Sequence, residues 1–135
     1  MRVMLDTNIL ISAIVFQSRG MHDLINYIVT NHELVLPSYG MDELWQVTER
    51  KFPQKMEAIV EFLTSLSFTL AYTPQIVPQG LFEMRDESDY PILYTAIIEG
   101  VDILISGDKD FMEVEIEKPD IMSASEFMAA HMGQR

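Results

Sequence analysis

Short, continuously apolar runs alternate with helical patterns along this chain of 135 residues. The runs at 3–5 and 34–36 predict buried β-strands, and the segments at 68–71, 103–105 and 120–122 predict a third, a fourth and a short fifth strand. Between them, apolar residues recur every three or four positions, which is typical of amphipathic helices. Strands that are apolar throughout and separated by helices indicate a parallel sheet covered on both faces. We therefore expect an α/β fold, a three-layer α/β/α sandwich around a mostly parallel sheet of about five strands.

Capping and breaking residues set the predicted limits of the helices. A first helix begins near Asn8 and is broken at Gly20. Ser38 is suited to cap the helix after the second strand, and Gly100 ends a helix that begins near Ser88. The remaining predicted elements are a helix that ends near Asn31, a helix just after Pro53, an irregular connection over about 72–80 and a last helix over about 124–131.

Length and composition narrow the class of protein. A chain of this size predicts a single domain over residues 1–135. The absence of cysteine excludes disulfides, thiolate nucleophiles and zinc–thiolate sites, and it fits a reducing cytoplasm. No apolar stretch reaches the ~20 residues of a membrane span, and Asp6 comes too early for a signal peptide. We therefore expect a cytoplasmic protein with no membrane partner.

The charge balance restricts how the chain can meet nucleic acid. It has 21 Asp and Glu against 9 Lys and Arg, a formal net charge of −12. Such a chain lacks the broad basic surface that nonspecific nucleic-acid binding requires. An acidic protein can still act on a polyanion locally, through bound metal ions.

Several acids follow strands of the predicted sheet. Ligands of open α/β sheets bind beyond the carboxyl ends of the strands. Asp6 directly follows the first strand, Asp108 closely follows the fourth, and Glu43 lies early in the helix after the second. Asp86 and Asp89 reach the same edge only if the long connection before them brings the chain back to the carboxyl side.

If these acids share one crevice, their chemistry follows from their charges. Bare carboxylates at close range raise each other's pKa, and a divalent cation removes that cost. Oxygen ligands without cysteine indicate Mg²⁺ or Mn²⁺. Such a site can activate water and neutralise a phosphate oxygen, which favours phosphodiester hydrolysis. Taken singly, each acid is an ordinary cap or turn residue, so the prediction depends on their coincidence.

Five segments in order also match a known family. They are Leu5–Ala13 with Asp-Thr-Asn, Pro37–Leu44, Arg85–Leu93, Ser106–Phe111 with Ser-Gly-Asp-Lys-Asp-Phe, and Ile121–Phe127. Over nearly the whole chain, this pattern resembles the PIN domains. The resemblance implies a metal-dependent ribonuclease, often the toxin of a bacterial or archaeal toxin–antitoxin pair of the VapC kind. It also implies an RNA substrate, an antitoxin partner, a homodimer and Mg²⁺ or Mn²⁺ as cofactor.

The resemblance assigns roles to residues by position. It implies a catalytic and metal-binding acidic core of Asp6, Glu43, Asp89 and Asp108, further metal-binding acids Asp86 and Asp110, and orienting residues Thr7, Asn8 and Ser106. Two positions offer a choice of acid. Asp89 is preferred to Asp86 because the apolar residues expected after the third acid follow Asp89. Glu43 is preferred to Asp42 because Leu44 follows it.

Two other functions are compatible with parts of this pattern. One is a non-catalytic module whose acidic crevice binds a basic partner, such as an antitoxin segment. The other is a haloacid-dehalogenase-like phosphatase, which also places an Asp after its first strand. That chemistry requires a second acid two positions later, where this chain has Asn8.

A few residues are candidates to hold RNA. Arg50, Lys51 and Lys55 form the densest basic cluster, one helix beyond Glu43, and are candidates to contact an RNA backbone. Tyr39 and Trp45 are candidates to stack on bases, although helical spacing favours a core position for Trp45. The histidines His22, His32 and His131 are scattered along the sequence and are interpreted as surface or cap residues.

Overall fold

A computed structural model describes residues 1–133; the last two residues of the expected domain, 134 and 135, lie outside the described part. The strands are β1 (Arg2–Leu5), β2 (Glu33–Pro37), β3 (Thr69–Ala71), β4 (Ile103–Ile105) and β5 (Asp120–Met122). The α-helices are α1 (Thr7–Ile14), α2 (Arg19–Asn31), α3 (Ser38–Lys51), α4 (Met56–Ser65), α5 (Tyr90–Ile98), α6 (Lys109–Met112) and α7 (Ala124–His131). Short 3₁₀ helices at Pro53–Lys55 and Glu87–Asp89 lead into α4 and α5. None of the described helices is long and apolar enough to cross a membrane.

The strands form one parallel sheet in the order β3-β2-β1-β4-β5. β1 is central, with Met4 in register with Val35 of β2 on one side and Leu104 of β4 on the other. The carboxyl ends of β1 and β4 therefore lie side by side. This confirms the α/β architecture predicted from the alternation of apolar runs and helices.

Side chains of the strands alternate between two buried clusters. Val3 and Leu5 pack on one face with residues of α1, α2, α3, α4 and α7. Met4 packs on the other face with residues of α5 and α6, including Leu93 and Phe111. The strands β1, β2 and β4 are buried on both faces over most of their length, which explains the unbroken apolar runs at 3–5, 34–36 and 103–105. The edge strands β3 and β5 are partly exposed.

The structure differs from the prediction at several local points. α1 already ends at Ile14, and Gly20 lies in the first turn of α2 rather than breaking α1. Ser38 does not cap α3, because Pro37 holds the capping position and the Ser38 hydroxyl accepts a hydrogen bond from the Thr73 N–H at 2.8 Å. The short helix α6, whose N-cap is Asp108, was not predicted.

The connection from β3 to α5 brings the chain back to the carboxyl edge of the sheet. Apart from the 3₁₀ turn, it runs irregularly from Tyr72 and is longer than the predicted 72–80. The Tyr90 hydroxyl donates to the carbonyl of Pro78 at 3.0 Å and accepts from the Leu81 N–H at 3.2 Å. The Phe82 ring stacks on that of Tyr90, with centroids 4.2 Å apart. These contacts hold the long connection against the start of α5.

Candidate active site

The first acid, Asp6, is buried where β1 passes into α1. Its N–H donates to the Ile105 carbonyl at 3.0 Å, which extends the pairing of β1 and β4 by one residue. The side chain is 4% exposed, and its Oδ2 accepts a hydrogen bond from the Ser106 hydroxyl at 2.9 Å. Burial raises the pKa of Asp6, and the hydrogen bond from Ser106 opposes that rise.

Ser106 joins the first acid to the fourth. Its hydroxyl donates to Asp6 and accepts from the Asp108 N–H at 3.0 Å. Both bonds are available because Leu5 and Ile105 are in register, so that Asp6 and Ser106 leave neighbouring strands together. The buried hydroxyl thus fixes the Asp6 carboxylate relative to the backbone that carries Asp108.

The second acid, Glu43, is held near the first by a close approach of α3 to α1. The Thr7 hydroxyl lies 3.2 Å from both Glu43 Oε1 and the Gly40 carbonyl oxygen, so its single proton serves these two acceptors. A Cβ on Gly40 would stand 2.9 Å from the Thr7 hydroxyl oxygen. Gly40 therefore permits the contact, a role that the sequence did not reveal. Burial raises the pKa of Glu43.

Four acids from the segments before α5 and after β4 form a compact group. One carboxylate oxygen from each of Asp86, Asp89, Asp108 and Asp110 lies within 4.8 Å of the others. Asp89 is 9% exposed, and its Oδ2 is buried without a hydrogen-bond partner among the described residues. Burial, followed by the charges of Asp108 and Asp6, raises the pKa of Asp89 to about 8.

The two outer members of this group are held differently from Asp89. Oδ1 of the exposed Asp86 accepts from the Ser88 N–H at 3.0 Å and the Ser88 hydroxyl at 2.7 Å, and these bonds lower the pKa of Asp86. Asp110 lies 3.8 Å from the Arg85 guanidinium and donates its N–H to Asp108 at 2.9 Å. Asp86 and Asp110 thus already have partners, whereas Asp89 retains a buried oxygen free for a ligand.

A crevice of about 390 Å³ brings most of the predicted site residues together. Its lining includes the acids Asp6, Glu43, Asp86, Asp89 and Asp108, together with Thr7 and Asn8. Asp110 belongs to the compact acidic group but does not line the crevice. Ser106 is fully buried and does not line the crevice either. Asn8 is exposed at the crevice. Asp42, the alternative to Glu43, is exposed outside the lining.

Other parts of the crevice lining are apolar or basic. Ile11, Phe16, Val47 and Phe52 contribute apolar surface, and Lys51 contributes a positive charge. Of the basic cluster predicted to contact an RNA backbone, Lys51 lines the crevice and Arg50 and Lys55 do not. The sequence did not indicate either phenylalanine. The suggested stacking residues, Tyr39 and Trp45, are instead partly buried against the two core clusters and do not line the crevice.

The acids of the crevice lack positive partners. Among residues 1–133, no Lys, Arg or His forms an ion pair with Asp6, Glu43, Asp89 or Asp108. Converging carboxylates with raised pKa values and one unpartnered buried oxygen suit a divalent cation, which would accept that oxygen as a ligand and offset the repulsion. A donor set made only of carboxylates fits Mg²⁺ or Mn²⁺.

Comparisons with known proteins agree with the fold. A family model for the PIN domain matches residues 2–110. VapBC2 from Rickettsia felis, solved bound to a DNA fragment from their promoter, matches with a TM-score of 0.68 and 18% identity, covering 91% of this chain and 98% of that chain. VapBC-1 from nontypeable Haemophilus influenzae matches with a TM-score of 0.63 and 21% identity, covering 93% of this chain and 99% of that chain. No curated protein matches the chain.

Proposed function

The chain belongs to the PIN-domain family, and on that premise we propose that it is a metal-dependent endoribonuclease that hydrolyses phosphodiester bonds of single-stranded RNA. The observation that carries the proposal is the convergence of Asp6, Glu43, Asp89 and Asp108 on one crevice without a cationic side chain paired to them. Family membership also sets aside the haloacid-dehalogenase-like alternative.

The acids would hold one or two Mg²⁺ or Mn²⁺ ions. Asp6, Glu43, Asp89 and Asp108 are the proposed core ligands, with Asp86 and Asp110 as further acids beside them. When bound, such an ion lowers the pKa of a coordinated water and offsets the negative charge of a phosphate oxygen. Asp89 is the preferred third acid because it is buried and its Oδ2 has no partner, whereas Asp86 is exposed and bonded to Ser88.

The surrounding residues of the chain would keep the acids in place. Ser106 fixes the Asp6 carboxylate and the backbone of Asp108, and Thr7 restrains Glu43. Because the bonds of Ser106 to Asp6 and of Thr7 to Glu43 join separate elements, these acids are oriented before any substrate arrives. Such preorganisation avoids the cost of ordering the acids during the reaction.

We also propose that the protein is the toxin of a toxin–antitoxin pair and works in the cytoplasm as a homodimer. The support is the likeness to the two VapBC structures, together with the resemblance of the sequence to PIN domains of the VapC kind, which implies such a pair. A net charge of −12 favours an antitoxin with a basic segment at this surface.

A cleavage assay tests the nuclease directly. End-labelled single-stranded RNA is incubated with the wild type and with Asp108→Asn, in Mn²⁺, in Mg²⁺ and in EDTA. We expect cleavage only with metal and a loss of about 100-fold or more in the variant, because a ligand of the ion is neutralised. Asp120→Asn, which removes the same charge from an exposed position at the start of β5, serves as the control and should cleave like the wild type.

Thermal unfolding separates metal binding from cleavage. Mn²⁺ at about 100 times its Kd should stabilise the wild type by about 2.7 kcal/mol, because only the native state assembles the acids. Asp108→Asn should lose most of this stabilisation and Asp120→Asn should keep it. If the wild type shows neither cleavage nor a response to metal, the non-catalytic module that binds a basic partner becomes the better hypothesis.

A further inference from the structure

An exposed aromatic ring lies in the same crevice as the acids. Phe16 is 65% exposed although it is a large apolar residue. Its ring stands edge to face against the half-buried ring of Phe52, with centroids 5.6 Å apart and planes at 83°. A ring held in this way cannot also lie flat on Phe52, so its exposed surface is free for a flat partner.

The end of α1 holds Phe16 in this position. The N–H groups of Val15 and Phe16 both bond the Ile11 carbonyl, and the Ser18 N–H bonds the Ser12 carbonyl at 3.0 Å. Gln17, between Phe16 and Ser18, adopts a left-handed conformation with φ of 53°. This conformation is common just after a helix end. Because the turn is hydrogen-bonded on both sides of Phe16, the ring is presented by ordered backbone.

The charge of the chain indicates what such a ring contributes. RNA affinity usually comes largely from phosphate contacts, but this chain is strongly acidic and the described crevice lining offers one cation, Lys51. Stacking of a base on an aromatic ring does not depend on net charge, and it is available to unpaired bases, which can turn out to meet a protein ring. A crevice of about 390 Å³ is on the scale of a small-molecule pocket.

We propose that Phe16, supported by Phe52, is the platform on which one base of single-stranded RNA stacks beside the acids. The inference rests on the proposed nuclease function and adds a positioning residue for its substrate. Phe16 would hold one nucleotide so that a neighbouring phosphate lies among the carboxylates. Such a platform would favour unpaired RNA, since bases within a duplex are already stacked on each other.

The test measures stacking without depending on cleavage. Single-stranded RNA carrying 2-aminopurine, whose fluorescence falls when the base stacks, is titrated with the full chain in EDTA, where the proposed nuclease is inactive. We expect quenching by the wild type and by Phe16→Trp. Phe16→Ala should lose the quenching and bind about tenfold more weakly. The same sequence in a duplex should bind more weakly than the single strand.

Tyr72→Ala is the matched control, since Tyr72 is also aromatic and 73% exposed but does not line the crevice. It should bind and quench like the wild type. The proposal is overturned if Phe16→Ala binds within twofold of the wild type, if Tyr72→Ala loses as much as Phe16→Ala, or if the wild type shows no quenching. Since both residues are largely exposed, equal melting temperatures would verify that the variants are folded.

Cleavage measured beside binding distinguishes this proposal from the nuclease itself. Quenching by the wild type in EDTA without any cleavage in Mn²⁺ would contradict the nuclease and support the platform. Cleavage by Phe16→Ala with an unchanged KM would support the nuclease and contradict the platform. If both hold, Phe16→Ala should raise KM about tenfold and leave kcat nearly unchanged, because the ring does not touch the reacting atoms.

Discussion

At the amino edge of the sheet, three acids surround Arg2. Its guanidinium lies 3.4 Å from the Glu33 carboxylate and 3.7 Å from that of Glu99, and it also donates to the Glu99 carbonyl. The Arg2 N–H donates to Asp102 Oδ2 at 2.8 Å. At the carboxyl edge, by contrast, the described residues include no cation paired to Asp6 or Asp89.

This difference separates acids that stabilise the fold from acids that burden it. A carboxylate beside a guanidinium or a backbone N–H is stabilised in its charged form, because the bond it accepts is stronger than one between neutral groups. A buried carboxylate is destabilised, first by the loss of its hydration and then by the charges of neighbouring carboxylates, and both causes raise the pKa values of Asp6, Glu43 and Asp89. The acids of the carboxyl edge therefore lower the stability of the fold, and they form a place where a cation could bind.

The largest expected effect comes from replacing one acid at each edge of the sheet with its amide. Asp6→Asn should lower cleavage by about 100-fold or more with little loss of stability, because the amide can still accept from Ser106 and no longer repels Asp89. Asp102→Asn should leave cleavage unchanged and lower stability by about 0.5–1 kcal/mol, since a neutral acceptor replaces a charged one. RNA cleavage and urea unfolding of both variants check this.

Equal results at the two edges would break the comparison. If Asp102→Asn also abolished cleavage, the amino edge would be part of the site. If Asp6→Asn cleaved RNA normally, the carboxyl edge would not be catalytic.

The pH dependence of stability should reveal the destabilising effect of the buried Asp89 carboxylate. Asp89 has a pKa of about 8 in the folded chain, against an ordinary value of 3.8 for an aspartate side chain. Between these values the native state keeps a proton that the unfolded chain releases, so the free energy of unfolding falls as the pH rises. In EDTA we expect the wild type to lose about 2–3 kcal/mol relative to Asp89→Asn between pH 4 and 8, after allowing for solvent at the open crevice.

Urea unfolding at several pH values measures this difference. Asp102→Asn is the control and should keep the wild-type slope, because its change lies at the other edge. Parallel curves for the wild type and Asp89→Asn would show that Asp89 ionises normally. Saturating Mn²⁺ should reverse the slope, since binding requires the ionised acids.

The sequence predicted the positions of acids that directly follow strands. Val3–Leu5 and Ile103–Ile105 are apolar throughout, so both strands could be placed, and parallel pairing then brings Asp6 and Asp108 to one edge. The prediction needed only local pattern and a general rule of sheet topology. It could not decide whether Asp86 and Asp89 join them.

What could not be predicted depends on contacts between distant segments. Asp89 returns to the crevice at the end of the long connection, beside Tyr90, whose hydroxyl bonds to Pro78 and Leu81, and no spacing rule gives these contacts. The same is true of Gly40, whose importance lies in the nearby Thr7 hydroxyl. Ser38 was expected to cap its own helix but accepts from Thr73 instead, since a serine at a helix start has several available partners.

The smallest expected effect concerns the one cation of the described crevice lining. Lys51 and Arg50 are adjacent, exposed and carry the same charge, but only Lys51 lines the crevice. Lys51→Gln should weaken binding of single-stranded RNA a few-fold at low salt and reduce the slope of log K against log salt by about 0.7, the value for one phosphate contact on a single strand. Arg50→Gln should leave the slope unchanged. Titrations at several salt concentrations with fluorescent RNA measure both. Equal changes in the two variants would mean that RNA binding depends only on the net charge of this helix end and not on the position of Lys51 in the crevice. The carboxyl edge would then differ from the amino edge only in its unpaired acids.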